Sequence, residues 1–354
     1  MVHAGTQHTV TRIRTVNIVL ITSGLNPLAR QFHDLPGTPV GIIRLHSDDH
    51  EPRLKTLARR IYRELSRANY TTLTEYCDFH ALHYREINKR NVEGIRQCLA
   101  QWDAGLVVTS TCPIVPMEAL EGVDFGAINV HPSELPAYRG GNPIFWQLYD
   151  EAHALGASVH RLTERVDRGA VLSQRVTHHR PGLSKKQWAQ LLEGELGVAC
   201  LREAISELLV QGKMPEGTEQ PEISPSRFAG NLGATKVHQV MVSAMKSPDR
   251  FWDCACYLGY CPGSVFGLKG PRAAWHWRPF STRKLERTAK VATEPQVRVG
   301  ALSISVHYPD QVLRFLPSGL YYLVGILSFA RRRRRDRAEN LPAIKRIANR
   351  INGL

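Results

Sequence analysis

The chain lacks the features that mark several function classes. Its seven cysteines, an odd number scattered through 354 residues, argue against a disulfide-stapled scaffold and fit a reducing compartment. No G-x-G-x-x-G pattern is present: the first strand-like run ends in Ser23-Gly24 alone, which leaves a dinucleotide site unsupported. No repeat recurs at a fixed period. Met1 to Arg14 is polar and Val16–Ile21 is too short for the apolar core of a secretory signal, so none is expected. Acidic residues are the minority, 32 against 46 Lys and Arg, for a net charge of +14. That imbalance directs attention to an anionic partner: nucleic acid, anionic lipid or a phosphorylated substrate. With 43% hydrophobic residues the chain can bury a sizeable core, and its length suggests about two domains.

Apolar runs alternate with helical spacing. Thr15–Thr22, Val40–Leu45, Leu106–Thr109 and Ala127–Val130 read as buried strands, with another over Ala170–Val176. Leu54–Ala68 and Val92–Trp102 read as helices. Ser184 opens a helix through Leu191, Leu192, Val198, Leu201, Ile205 and Leu209 that stops near Gly212. Strands alternating with helices predict an α/β fold, a doubly wound Rossmann-like parallel sheet. Pro215–Pro225 reads as a linker, giving a catalytic domain over residues 1–220 and a smaller C-terminal domain of unassigned fold over 221–354.

The densest chemistry lies in Asn129-Val130-His131-Pro132-Ser133, followed by Leu135-Pro136-Ala137-Tyr138-Arg139-Gly140-Gly141-Asn142-Pro143. Asn129 and His131 share one side of an extended segment, next to a Pro/Gly-rich loop at a strand's carboxyl end, where such sheets bind ligands. Asp167-Arg168-Gly169 follows downstream. An amide donor, an imidazole and a carboxylate suffice for acyl-type transfer.

These residues resemble the folate-dependent formyltransferases, the family of glycinamide ribonucleotide, methionyl-tRNA and sugar-amine N-formyltransferases. Asn129, His131, Ser133, Leu135, Pro136, Tyr138, Arg139 and Gly140 match one family motif, Asp167 and Gly169 a second, and the spacing between them is the family's. The resemblance covers roughly residues 15 to 215. It implies 10-formyltetrahydrofolate as formyl donor and an amine as acceptor. Asn129 and a protonated His131 would stabilise the charge developing on the formyl oxygen. Asp167 would accept the amine's proton and raise the pKa of His131. Ser133, Arg139, Gly140 and Asn142 are candidates for substrate binding. Cys112, Pro113, Ile114 and Val115 are assigned to the donor, whose pterin ring suits backbone partners and apolar walls. No metal is assigned. Cys254, Cys256 and Cys261 lack zinc-site spacing and read as buried structural cysteines.

The loop Arg139-Gly140-Gly141-Asn142-Pro143 departs from the Arg-Gly-Ala-Ala-Pro usual in methionyl-tRNA formyltransferases and looks more like members acting on small amines or amino sugars. The tail shows few alternating strands, unlike a tRNA-binding barrel, although +14 is what a phosphate-backbone binder would show. A formyltetrahydrofolate hydrolase is a third enzyme reading. The non-enzyme alternative is a membrane-surface or partner-binding protein, because the apolar run Phe315–Ala330 precedes Arg331–Arg335 and a basic amphipathic end. The expected location is cytoplasmic, with membrane association through the tail as the alternative.

Overall fold

The computed structural model describes residues 15–46, 70–269, 275–284 and 294–318. The helix expected over Leu54–Ala68, most of the apolar run and the basic end lie outside the described residues. The described chain divides into two units: one runs to Arg180 and resumes over Lys186–Asn231, and the other takes Pro181–Lys185 and the residues from Leu232 onward.

The first unit is built on β1 (Asn17–Thr22), β2 (Thr38–His46), β3 (His83–Asn88), β4 (Leu106–Ser110), β5 (Ala127–His131), β6 (Ala154–Arg161) and β7 (Val171–His178), in the order β3-β2-β1-β4-β5-β6-β7. The first five are mutually parallel. β6 pairs antiparallel with β5, and β7 antiparallel with β6, so the fully parallel sheet expected from sequence acquires an antiparallel flank. β3 and β6 carry too many polar residues, or too much Gly and Ala, to read as buried strands.

The central strands are apolar throughout because helices cover both faces. Ile18 and Leu20 pack with Phe32, Tyr76, Leu201 and Ile205 on one face. Val19 and Ile21 pack with Ile95, Leu99 and Trp102 on the other. Helix α1 (Leu73–Phe79) starts in a capping box, Thr72 binding the Glu75 N–H and Glu75 reaching back to the Thr72 N–H. Helix α2 (Val92–Gln101) is capped by Asn91, and α3 (Pro143–Tyr149) begins with proline at its first turn. The helix expected after Ser184 is interrupted: α4 (Lys185–Ala189) passes into a π-helical stretch, Gln190–Gly197, before α5 (Val198–Gln211). Within the π stretch the Gly194 carbonyl accepts from Gln31 Nε2 at 2.7 Å. The apolar spacing carries no sign of this widening.

The second unit holds helices α6 (Ala234–Ala244) and α7 (Pro248–Leu258) and an antiparallel sheet in the order β10-β11-β12-β9-β8. Its strands are β8 (Cys261–Pro262), β9 (His276–Lys284), β10 (Gln296–Val299), β11 (Ile304–His307) and β12 (Gln311–Pro317). Expectation from sequence missed this sheet. The strands are short, and Arg298, Ser305 and Arg314 alternate with the apolar positions, so no long run announces them. The front of the apolar run, Phe315–Pro317, is the end of a strand and not of a helix. Phe315 packs against Phe251 and Phe266, with ring centroids 5.6 and 5.1 Å away. Cys254, Cys256 and Cys261 are buried. Among the described residues no helix is long and apolar enough to cross a membrane.

Leu20 is fully buried at the middle of the central strand. Leu20→Ala should lower the unfolding free energy by about 2–5 kcal/mol, read as a lower urea midpoint. An unchanged midpoint would contradict the packing described.

Candidate functional site

Strand order reverses between β1 and β4, so a crevice opens at their carboxyl ends. The Ser23 N–H donates to the Thr111 carbonyl at 3.2 Å, joining the two loops there. On the neighbouring β5, Asn129 stands opposite Thr109 in one register and opposite His160 of β6 in the other. The Thr109 hydroxyl donates to Asn129 Oδ1 at 2.9 Å. That turns the amide nitrogen toward His160, 3.0 Å from its Nε2. His160 donates from Nδ1 to its neighbour's carbonyl, Arg161 O, at 2.8 Å, so in the neutral ring Nε2 accepts the Asn129 hydrogen. One amide hydrogen of Asn129 is left for a ligand.

His131 ends β5. Its Nε2–H donates to the Tyr138 carbonyl at 3.0 Å. Its Nδ1 faces Asp167 Oδ2 at 3.6 Å, while Asp167 Oδ1 lies 3.6 Å from His160 Nε2. Asp167 comes from the loop between β6 and β7 and takes a left-handed backbone, φ 54°. Its side chain is only 11% exposed. The Gly140 N–H donates to Oδ2 at 2.7 Å. A Cβ added at Gly140 would stand 2.8 Å from Ala229 O, a collision, and φ is 124° there; only glycine brings this N–H to the carboxylate. At Gly169 a Cβ would stand 2.0 Å from Arg161 O, so the close return of the loop also requires glycine.

Burial works to raise the pKa of Asp167, but the two imidazoles and the Gly140 N–H outweigh it and hold the carboxyl down to about 2. Burial pulls His131 below its ordinary value, against the opposing pull of Asp167. The expectation of a His131 raised by Asp167 is therefore reversed: full desolvation of the ring dominates. At neutral pH the pair is a carboxylate beside a neutral imidazole whose Nδ1 lone pair points at it. A proton delivered between them has two acceptors.

The remaining expected residues are placed differently from one another. Ser133 is buried and its hydroxyl donates to Ala137 O at 2.6 Å, holding the loop. Arg139 presents no guanidinium to an anion: it is buried, 4% exposed, and donates to Gln220 Oε1, Pro221 O and Glu222 O. Asn142 is half-buried before α3, its backbone N–H on Ala229 O at 2.9 Å. Cys112–Val115 follow β4 in irregular backbone. The N–H groups of Cys112, Ile114 and Val115 have no partner among the described residues, Ile114 is 74% exposed and Val115 is buried. Burial pushes the Cys112 thiol up to about 12, which removes it as a nucleophile. A polar cleft of about 450 Å³ is lined by Arg139, Arg165, Arg168, Gln220 and Glu222. Among the described residues no group of three or more His, Cys, Asp or Glu side chains could hold a metal ion.

His160, Thr109 and Gln220 were not singled out from sequence. His160 follows Ala157-Ser158-Val159, a mixed stretch that offers no clear signal for it. Gln220 sits in a segment whose composition reads as a linker.

The formyl transferase family model matches residues 55–198. Methionyl-tRNA formyltransferase of Listeria innocua is 32% identical over 137 residues, 38% of this chain and 42% of the relative. That of Bacillus mycoides is 30% identical over 193 residues, 53% of this chain and 59% of the relative. The chain thus spans about two fifths of the first relative's length. Among solved structures, HypX from Aquifex aeolicus in complex with tetrahydrofolic acid aligns with a TM-score of 0.49 at 13% identity, covering 87% of this chain and 47% of that one. A sugar N-formyltransferase from Shewanella aligns at 0.43 and 14%, covering 69% and 88%.

Because the folded pKa of Asp167 lies below its ordinary 3.8, its stabilisation is complete above about pH 4 and is lost as pH falls through about 2, an effect on the order of 2 kcal/mol. The stability difference between the wild type and Asp167→Asn should shrink by that amount between pH 5 and pH 2 in urea titrations. A difference independent of pH would contradict a depressed carboxyl.

Proposed function

We propose, from the match of the formyl transferase family model to residues 55–198, an enzyme of that family that moves a formyl group from 10-formyltetrahydrofolate to a primary amine of a small molecule or amino sugar. The observation that carries this reading is the linked set Asn129–His160–Asp167–His131, with successive contacts of 3.0, 3.6 and 3.6 Å and Asp167 ionised. The donor's pterin edge suits the unpartnered backbone of Cys112–Val115, and exposed Ile114 suits a ring face.

As the amine adds to the formyl carbon, charge gathers on the formyl oxygen. The remaining Asn129 amide hydrogen donates to it, a contact typically worth ~3–4 kcal/mol in the transition state. The amine must shed a proton. Asp167 accepts it and shares it with the Nδ1 lone pair of His131, which the carboxylate then stabilises as a cation. The same pair returns the proton to the folate nitrogen that leaves. His160 takes no proton in this scheme: its Nδ1 is held by Arg161 O and its Nε2 fixes the amide.

The small-amine acceptor is favoured by Gly141-Asn142 after Arg139-Gly140. A tRNA acceptor is the second reading. The antiparallel sheet of the second unit removes one objection to it, and the +14 charge suits a phosphate backbone.

Asn129→Ala should lower kcat by about 10²–10³-fold, and Asp167→Asn at least as far, with folding retained. Mass spectrometry of candidate amines and amino sugars incubated with enzyme and donor should show the gain of one formyl group. Salt-sensitive formylation of aminoacylated initiator tRNA alone would transfer the assignment to the second reading. Release of formate without any acceptor would point to hydrolysis.

A further inference from the structure

The segment expected to be a linker lies against both loops of the site. Thr218 bridges to Val171. Gln220, Ser224 and Ser226 are half-buried, while Pro221, Glu222, Ile223, Pro225 and Arg227 are exposed. Ser224 donates to Pro136 O at 2.8 Å, the Ser226 hydroxyl accepts from the Tyr138 N–H at 2.6 Å, and the Ala229 N–H donates to Arg139 O at 2.7 Å.

Gln220 joins the two loops to each other, beside the direct Gly140 N–H bond to Asp167 Oδ2 and the Glu222 carbonyl, which accepts from both Arg139 and Arg168. Its Oε1 accepts from Arg139 Nε at 3.1 Å and Nη2 at 2.9 Å. Its Nε2 donates to Asp167 O at 3.0 Å and to Gly169 O at 2.7 Å. One amide thus satisfies a buried guanidinium on the loop carrying Tyr138 and Gly140, and fixes the backbone on both sides of Arg168 in the loop carrying Asp167. The left-handed φ of Asp167 is a conformation a non-glycine residue keeps only when its surroundings hold it.

We propose that Gln220 is a positioning residue that fixes the Asp167 loop against the Arg139–Gly140 loop, so that the carboxylate stays seated between Gly140 N–H, His131 and His160. Nothing in this requires Gln220 to touch a substrate. Its kinetic consequence rests on the formyl-transfer reading; its structural consequence does not.

Two variants separate the roles. Gln220→Met keeps the shape and removes all four hydrogen bonds. Gln220→Glu keeps an acceptor for Arg139, which protects folding, and removes only the donor to Asp167 O and Gly169 O. A displacement of about 1 Å at a reacting group can cost ~10²-fold, so the plateau kcat above the acid limb should fall at least about tenfold in both, with the donor KM within twofold. The added charge in Gln220→Glu shifts the acid limb, but charge alone leaves the plateau in place. In the full chain, carboxyl ¹³C NMR of Gln220→Met should show the Asp167 pKa rising from about 2 toward the ordinary carboxylate range, whether or not the chain transfers formyl groups. Absence of transfer by the wild type would remove the functional reading and leave this measurement standing. A folded Gln220→Glu with the wild-type plateau, or an Asp167 pKa unmoved in Gln220→Met, overturns the proposal.

Discussion

A carboxylate taken out of water must be compensated by fixed donors or charges, since an uncompensated buried ion is far more costly than any single contact returns. Asp167 meets that constraint with the Gly140 N–H and with the two imidazoles whenever they carry a proton. Much of the local sequence follows from it. Position 140 must be glycine for its N–H to arrive. Position 169 must be glycine for the chain to return past Arg161. Arg139 must find its partners among Gln220 and neighbouring carbonyls, because its own loop is committed to presenting Gly140.

The antiparallel flank supplies the rest. Were β6 parallel to β5, the residue opposite Asn129 would come from a different register. The antiparallel pairing sets His160 directly across from it. The imidazole then fixes the amide from one side while Thr109 fixes it from the other. Both partners are buried, so the amide's orientation is decided by scaffold side chains before any ligand arrives, which is the preorganisation that electrostatic catalysis needs.

The central strands and the α5 terminus were legible in sequence because burial on both faces leaves continuous apolar runs, and Gly212 marks the helix end. Asn129, His131 and Asp167 were legible as a resemblance, through motif order and spacing. What escaped has a shared physical cause. β6, the strap around Gln220 and the sheet of the second unit are held by partners distant in sequence, and their own composition is mixed. Arg139 was open to two readings, an anion contact or a conformational role in its loop, and the fold favours the second, with its guanidinium donating to Gln220 Oε1, Pro221 O and Glu222 O. The direction of the His131 shift was likewise unreadable, since it depends on how completely the ring is buried.

These placements bear on how the site handles a proton. Both imidazoles donate to main-chain carbonyls, Tyr138 O and Arg161 O, so each neutral ring turns its lone pair inward, toward Asp167. His160's lone pair is occupied by the Asn129 amide, and protonating that nitrogen would expel the amide hydrogen. His131's lone pair has no such competitor at 3.6 Å from Oδ2. The two histidines are therefore chemically unequal although equally distant from the carboxylate. The Nδ1 side of His131 is thus open to a proton, and the Asn129 amide stays fixed by Thr109 and His160.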